Sequence, residues 1–303
     1  MRLSYLIVLL LVFIGCKNES KQTTPQVFEL GNISTNSVEL SPSFSSDEST
    51  LYFVRSTGEW GKAGMKSSIY FSTKENGKWS TPELASFSGE YSDSAPHLTA
   101  DGNTLYFTSK RPLSDTEQGS KDIWKVEKEE NGNWGIPTRL SNHVNSERSE
   151  YSPRTDKFGN LYFASNRTGG LGQGDLYMAK KVDTGFAKPV NLGSVVNSEN
   201  GEWNLEISDD GNTLIFESSG RDEGLSPYGD LYISFKKENQ WSVPQHLKEL
   251  NTTGSDLYAE ITANNLTLYY VSSDSLPSVN TNIYVLDFEK LFKQYQKNAV
   301  IKN

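Results

Sequence analysis

A five-fold internal repeat constrains the fold more than any other feature of this sequence. Each repeat begins with a short strand-like stretch, passes through a turn rich in Asp, Asn and Gly, and ends in an aliphatic–aromatic run, which is the pattern of a β-hairpin. The five repeats start at Pro42, Pro96, Pro153, Leu205 and Ala259, at spacings of 54, 57, 52 and 54 residues. A regular period of this length is typical of an array of equivalent supersecondary units.

Each repeat continues beyond its hairpin. Third strands are predicted to begin at Ser68, Asp122, Asp175, Asp230 and Asn282. In four units an aromatic residue three positions before a proline marks a fourth strand; these pairs are Trp79 and Pro82, Trp134 and Pro137, Phe186 and Pro189, and Trp241 and Pro244. Proline is tolerated on an outermost strand, which has one unpaired edge. The sequence therefore predicts an all-β fold, a five-bladed β-propeller of four-stranded antiparallel blades.

The fifth repeat lacks a fourth strand at its own end. After Val285 the chain shows Leu291, Phe292 and Tyr295 at helical spacing, which predicts a short C-terminal helix. Residues 25–30 align instead with the fourth strands of other units. We predict that this N-terminal strand pairs with the last blade and closes the ring, so that the propeller spans residues 25–288 and a helix and tail occupy residues 289–303.

The repeats resemble the TolB-type, WD40-like propeller repeat, whose core is a proline, a Ser-x-Asp-Gly turn and an aliphatic–aromatic strand. Asp-Gly is intact at Asp101-Gly102 and Asp210-Gly211, whereas Leu205 and Ala259 replace the proline. The resemblance covers residues 25–288 and implies the propeller fold.

The N-terminus has the pattern of an export signal. Arg2 precedes an uncharged apolar run over residues 6–14, which is too short to span a bilayer and is typical of a signal-peptide core. Phe13-Ile14-Gly15-Cys16 resembles the bacterial lipobox. This resemblance implies a signal peptide over residues 1–15, a lipidated Cys16 and a polar tether over residues 16–24.

Lipidation at Cys16 would attach the protein to a membrane without a spanning helix. We therefore expect a lipid-anchored protein of the bacterial cell envelope, at the outer membrane rather than the inner one. The periplasmic and the external side of that membrane are both left open.

Composition narrows the possible partners and cofactors. Cys16 is the only cysteine, so the exported domain has neither a disulfide framework nor a thiolate metal site, and the three histidines fall at unrelated repeat positions. A formal net charge of −9 disfavours nucleic acid as a partner. No common catalytic motif is present. We expect a monomer without a cofactor, and a calcium ion in the channel is the alternative.

Two sets of residues recur around the start of each repeat. Three positions before it stands an acid, giving Glu39, Asp93, Glu150, Glu202 and Asp256. We interpret these carboxylates as a ring near one mouth of the channel that accepts backbone hydrogen bonds; a cation or polyol site is the alternative. One position after the start stand Ser43, His97, Arg154, Glu206 and Glu260, which include candidate ligand-binding residues.

Two further groups of residues are candidates on the loops. Arg111, Arg167 and Arg221 follow second strands, and we expect them to pair with Asp122, Asp175 and Asp230 at the start of the third strands. Trp60 and Tyr228 lie in glycine-rich loops and are candidate platforms for ligand stacking.

These features favour a scaffold or binding module for an envelope protein or a glycan. The alternative is a carbohydrate-active enzyme, either a glycoside hydrolase or a lyase, because five-bladed propellers also carry that chemistry. Asp93, Glu150, Glu202 or Asp256 would then act as acid and base.

Overall fold

The computed structural model describes residues 23–57, 64–113, 120–262, 266–273 and 280–302. The predicted signal peptide, Cys16 and Trp60 lie outside these residues. Strand β1 (Gln26–Val27) precedes the first blade, which contains β2 (Val38–Phe44), β3 (Thr50–Thr57), β4 (Lys66–Glu75), β5 (Lys78–Trp79) and β6 (Glu83–Leu84). The second blade contains β7 (Asp93–Leu98), β8 (Thr104–Ser109), β9 (Asp122–Glu127) and β10 (Thr138–Arg139).

The remaining blades follow the same order along the chain. The third contains β11 (Glu150–Thr155), β12 (Leu161–Ser165), β13 (Asp175–Ala179), β14 (Lys181–Val182), β15 (Gly185–Phe186) and β16 (Val190–Asn191). The fourth contains β17 (Gly201–Ile207), β18 (Thr213–Ser219), β19 (Asp230–Lys237), β20 (Gln240–Trp241) and β21 (Gln245–His246). The fifth contains β22 (Ser255–Ile261), β23 (Thr267–Ser273) and β24 (Asn282–Asp287), and helix α1 (Glu289–Lys297) follows it.

The predicted five-bladed β-propeller is confirmed. Each blade is an antiparallel sheet of four strands, which follow chain order in the first four blades. The first strands of neighbouring blades contact one another and are therefore innermost. The fourth strands are only two residues long and begin after the proline. The aromatic residue before that proline belongs to a hairpin that extends the third strand, as in the pairing of Trp79 with Lys74.

The N-terminal strand closes the ring. β1 pairs antiparallel with β24, with Gln26 opposite Val285 and Val27 opposite Tyr284. The Phe28 N–H donates to the Ile283 carbonyl at 2.7 Å. The Phe28 ring packs edge-on against Phe44, Trp79 and Tyr269, so that it joins the first and last blades. The fifth sheet is thus completed from the other end of the chain.

The core lies within and between the blades. The second strands carry the aliphatic–aromatic run, and each places a leucine and an aromatic residue in the interior: Leu51 and Phe53, Leu105 and Phe107, Leu161 and Phe163, Leu214 and Phe216, and Leu268 and Tyr270. The two residues of each pair are two positions apart and so lie on the same face of the sheet, where they are buried because each blade is packed between two neighbours.

Each innermost strand contains a β-bulge just before the repeat start. The residue there has a left-handed backbone conformation, at φ values between 38° and 51°: Ser41, Ala95, Ser152, Asn204 and Tyr258. The register of the first two strands shifts at the same place in all five blades. A bulge bends its strand and redirects the following side chain. It therefore sets which residues of the innermost strand face the channel.

The C-terminal helix lies against the fourth and fifth blades. Leu291 and Phe292 pack on their apolar cluster, and Tyr295 is buried there. The Tyr295 hydroxyl donates to the His246 carbonyl at 3.0 Å. Within the part of the chain that the structure describes, no helix has both the length and the apolar character needed to cross a bilayer.

Candidate functional site

The five acids of the innermost strands are buried at equivalent places. All five residues are 0 % exposed. Four accept hydrogen bonds from the backbone N–H and hydroxyl of a Ser or Thr four positions earlier: Glu39 from Thr35, Glu150 from Ser146, Glu202 from Ser198 and Asp256 from Thr252. Asp93 accepts from the Ser88 hydroxyl at 2.7 Å. Each carboxylate therefore fixes the connection that enters its blade.

Arginine neutralises four of these five acids. The ion pairs are Arg55–Glu39 at 3.1 Å, Arg111–Asp93 at 2.6 Å, Arg167–Glu150 at 3.1 Å and Arg221–Glu202 at 2.8 Å. The expected pairing of Arg111, Arg167 and Arg221 with Asp122, Asp175 and Asp230 is wrong. The first-strand acid lies opposite a second-strand serine, as Asp93 lies opposite Ser109, and the arginine two or three residues later reaches back across the strand pair.

The third-strand acids are held by the fourth strand instead. Asp122 pairs with Arg139 at 2.5 Å, Asp175 accepts from the Asn191 amide at 2.7 Å, and Asp230 lies 3.3 Å from the His246 ring. Arg139, Asn191 and His246 occupy the same register position, opposite an aromatic residue of the third strand. A second set of acids therefore serves the scaffold.

Asp256 is the exception among the first-strand acids. No arginine pairs with it among the described residues, and its Oδ1 atom has no hydrogen-bond partner there. Burial raises the pKa of Asp256 to about 6. Burial also raises the pKa of Asp93 and Glu150, against the opposing effect of their arginines.

The variable residues after the repeat start meet inside the channel. Arg154 Nε lies 2.8 Å from Glu206 and 3.8 Å from Glu260. Glu260 accepts the Phe44 N–H at 3.1 Å, which links the fifth blade to the first. The interpretation that this set faces one channel agrees with these contacts.

The same set connects the remaining blades. Ser43 accepts the Leu98 N–H at 3.1 Å, and His97 Nε2 accepts the Thr155 N–H at 3.0 Å. Together with the Arg154 contacts, these bonds join the innermost strands around the channel. The main role of these residues is therefore structural, because they hold the innermost strands of different blades together.

Burial dominates the protonation of this channel set. The pKa of Glu260 is raised to about 7 and that of Glu206 well above its ordinary value, because both carboxyls are removed from water. Burial lowers the pKa of His97 well below its usual range, and the nearby Arg154 adds to this effect. A small cavity of about 60 Å³ adjoins His97, Glu206 and Glu260 at the hairpin-turn end of the channel.

One buried carboxyl was missed by sequence reasoning. Glu217 on β18 stands where the other blades have Val54, Thr108, Ala164 and Val271, and it is only 6 % exposed. Its carboxyl accepts a hydrogen bond from Asn204. Burial, reinforced by the charge of Asp256, raises the pKa of Glu217 to about 8. An acid interrupting an otherwise uncharged second-strand position was the signal in the sequence.

The two ends of the propeller differ. We call the end where second strands lead into third strands the loop face; it carries the exposed residues Leu113, Leu171, Leu225 and Tyr228. Tyr228, a predicted stacking residue, is 57 % exposed. Within the described ranges, no group of three or more His, Cys, Asp or Glu side chains could hold a metal ion.

Comparison with solved structures agrees with this architecture. BT0996, solved as an RGII complex, matches at a TM-score of 0.56 and 9 % identity, over 88 % of this chain and 91 % of that one. TolB from Acinetobacter baumannii matches at 0.49 and 16 %, over 83 % and 55 %, and Trypanosoma rangeli sialidase at 0.49 and 12 %, over 91 % and 60 %. This chain thus spans little more than half of the TolB chain.

At these identities the likeness concerns the fold alone. No protein family model and no curated protein matches the sequence.

Proposed function

We propose that this protein is a binding module of the bacterial cell envelope, anchored through lipid on Cys16, which holds a protein or glycan partner on its loop face. The apolar run over residues 6–14 and the lipobox-like residues before Cys16 support the anchor. The TolB-type repeat pattern supports an envelope location.

The commitment of the channel carboxyls to the scaffold carries this proposal. A catalytic acid or base must reach the substrate. Glu39, Asp93, Glu150, Glu202 and Asp256 are instead buried, and each is hydrogen-bonded to the connection that enters its own blade. Glu39, Asp93, Glu150 and Glu202 also pair with an arginine in the same way. Such repetition is the property of a scaffold, because an acid and a base must differ in environment to differ in pKa.

The loop face offers what a partner requires. Leu113, Leu171 and Leu225 are 44 %, 51 % and 50 % exposed on three consecutive blades. Exposed apolar side chains that recur across one face of a soluble domain are typical of an interaction surface. Tyr228 adds an exposed aromatic ring on the same face.

Capture from envelope extracts tests this proposal. We expect the detergent-solubilised, full-length protein to retain a partner that the variant Leu171→Asp/Leu225→Asp loses, because two charges would interrupt the apolar row. Val190→Asp/Ile136→Asp is the matched control, since both residues are exposed but Ile136 lies between the third and fourth strands of its blade and Val190 begins the fourth strand. Equal capture by the loop-face variant would exclude this face as the binding surface.

One observation favours the second candidate, a carbohydrate-active enzyme. Glu217 and Asp256 are neighbouring buried carboxyls whose pKa values are raised to about 8 and about 6, and such a separation suits an acid and a base. Sugar release from cell-wall or capsular polysaccharides, abolished by Glu217→Gln and by Asp256→Asn, would establish this activity. An unchanged rate in both variants would exclude these residues.

A further inference from the structure

A groove crosses the loop face between the second and third blades. Its volume is about 590 Å³, within the range of ordinary small-ligand sites. Leu113 and the connection that contains Arg139 and Arg148 form one side, and Arg167 and Thr168 form the other. Three arginines therefore meet in one groove of a chain whose formal net charge is −9.

Two of these arginines are held in place by buried carboxylates and by neighbouring polar groups. Arg139 Nε contacts buried Asp122 at 2.5 Å and its Nη1 donates to Asn142 at 2.6 Å. Arg167 Nη2 contacts buried Glu150 at 3.1 Å and the Val144 carbonyl at 2.6 Å. Within the described part of the chain, Arg139 Nη2 and Arg167 Nη1 keep their hydrogens free for a ligand. Donors held in this way lose little side-chain entropy on binding.

The third arginine has no such anchor. Arg148 is exposed, and no carboxylate lies within ion-pair distance of it among the residues that the structure describes. The exposed carboxylate of Glu147 lies beside it in the groove. The groove therefore combines guanidinium donors for an anion with one acceptor for a hydroxyl group.

Comparison with the next blade junction separates Arg148 from the repeated scaffold. Between the third and fourth blades Arg221 takes the place of Arg167 and pairs with Glu202 in the same way. There, however, Asn191 stands at the position of Arg139, and Asn200 at the position of Arg148. Asparagine therefore satisfies the fold at the position of Arg148, which has no ion pair in the scaffold among the described residues. Arg139 has two roles, since its Nε atom pairs with buried Asp122 whereas its Nη2 atom is left to the groove.

We propose that this groove binds the carboxylate of an acidic saccharide. Arg139, Arg148 and Arg167 hold the carboxylate through charge-assisted hydrogen bonds, and Glu147 accepts from a sugar hydroxyl. The lining is polar apart from Leu113, which suits a sugar better than an apolar peptide segment. This inference rests on the proposed binding function and narrows it to one ligand class.

Calorimetric titration of the full-length protein with tetragalacturonate tests the assignment. We expect binding by the wild-type protein and a loss of about tenfold or more in affinity in Arg139→Asn/Arg148→Asn, because charge-assisted hydrogen bonds are removed. That variant also removes the cation paired with buried Asp122, so its melting temperature should fall. Arg148→Asn alone copies the neighbouring junction without breaking an ion pair, so it should keep the wild-type melting temperature and still bind more weakly than the wild type. Lys180→Asn/Lys188→Asn removes the same charge at exposed positions elsewhere and should bind like the wild type.

Three further probes distinguish the ligand classes. Cellotetraose, which has no carboxylate, should not bind, and inorganic phosphate or hexaglutamate should bind at least about tenfold more weakly than tetragalacturonate. Equal or tighter binding of phosphate or hexaglutamate would overturn the saccharide assignment, as would tetragalacturonate binding that Arg139→Asn/Arg148→Asn leaves unchanged. Absence of tetragalacturonate binding in a protein that still captures its envelope partner would refute this inference alone; loss of capture by the wild type would refute the proposed function.

Discussion

Burial determines how the interior acids of this propeller behave. Removing a carboxylate from water costs several kcal/mol unless a cation and hydrogen bonds replace the solvent. Arg111, for example, contacts Asp93 at 2.6 Å and also lies over the Phe107 and Trp124 rings. Glu217 and Asp256 have no such cation among the described residues, and the raised pKa values of both are the consequence.

Glu217 gives the stability of the protein a defined pH dependence. Its pKa is about 8 in the folded protein and 4.5 in an ordinary environment. Between these values the folded state holds a proton that the unfolded chain releases, so the free energy of unfolding falls as the pH rises. The contribution is present in full below about pH 4.5 and is lost as the pH approaches 8. Glu260 and Asp256, raised to about 7 and about 6, act in the same direction.

We therefore predict that Glu217→Gln reduces this fall, because glutamine cannot ionise. Urea unfolding at pH 5, 6.5 and 8 should show the variant gaining stability relative to the wild type as the pH rises, at up to about 1.4 kcal/mol per pH unit. Glu199→Gln, at an exposed position in the connection that enters the fourth blade, should follow the wild type. A Glu217→Gln variant with the wild-type slope would contradict the assignment.

At the scale of elements, the ring is closed by a strand of only two residues, β1. β1 makes a short ladder with β24, yet it places Phe28 among Phe44, Trp79 and Tyr269. The packing of this one ring therefore adds to a hydrogen-bond ladder that is too short to be stable alone. The N-terminal segment is held by a side chain as much as by its backbone.

Truncation of that side chain should be costly. Phe28→Ala leaves a cavity at the contact of the first and last blades, and we expect a loss of about 3 to 5 kcal/mol in the free energy of unfolding, measured in urea. Leu30→Ala, two residues away and 76 % exposed, should cost less than about 0.5 kcal/mol. Similar losses in the two variants would show that Phe28 does not seal the ring.

The repeats made the strands and blades predictable from the sequence. The pairing of charged side chains was less predictable. Five alignable hairpins fixed the blade number, and the likeness of residues 25–30 to the fourth strands identified the closure. Arg111, Arg167 and Arg221 were assigned to the wrong acids because both candidate acids lie near them in the sequence. The choice is made by the register of the first two strands, which places Asp93 opposite Ser109 and so within reach of Arg111.

Two other features of the site depend on contacts that the sequence does not show. Glu217 stands at a strand position that is uncharged in the other blades, and its hydrogen-bond donor, Asn204, is brought to it by the bulge of the innermost strand. The groove between the second and third blades is lined by Arg139 and Arg148, which are nine positions apart in the sequence. The folded connection between the two blades brings them to the same groove. The acid ring, by contrast, was visible because it repeats in every blade.

The whole molecule is a ring with two unlike ends. Inside it, Ser43, His97, Arg154 and Glu260 bond across from blade to blade. Where the two ends of the chain meet, β1 completes the fifth sheet. The C-terminal helix then packs against the fourth and fifth blades. The outer edges of the blades are fourth strands of only two residues, and edges this short resist edge-to-edge association. The loop face is the surface that we propose for partners.

Amide hydrogen exchange tests the closed ring most directly. Because the Phe28 N–H donates to Ile283 within the fifth sheet, this amide should exchange only when the ring opens. We predict that it exchanges with the same opening free energy as the amides of β23, in the middle of that sheet. Rapid exchange of the Phe28 amide while β23 stays fully protected would contradict a ring sealed by its first strand.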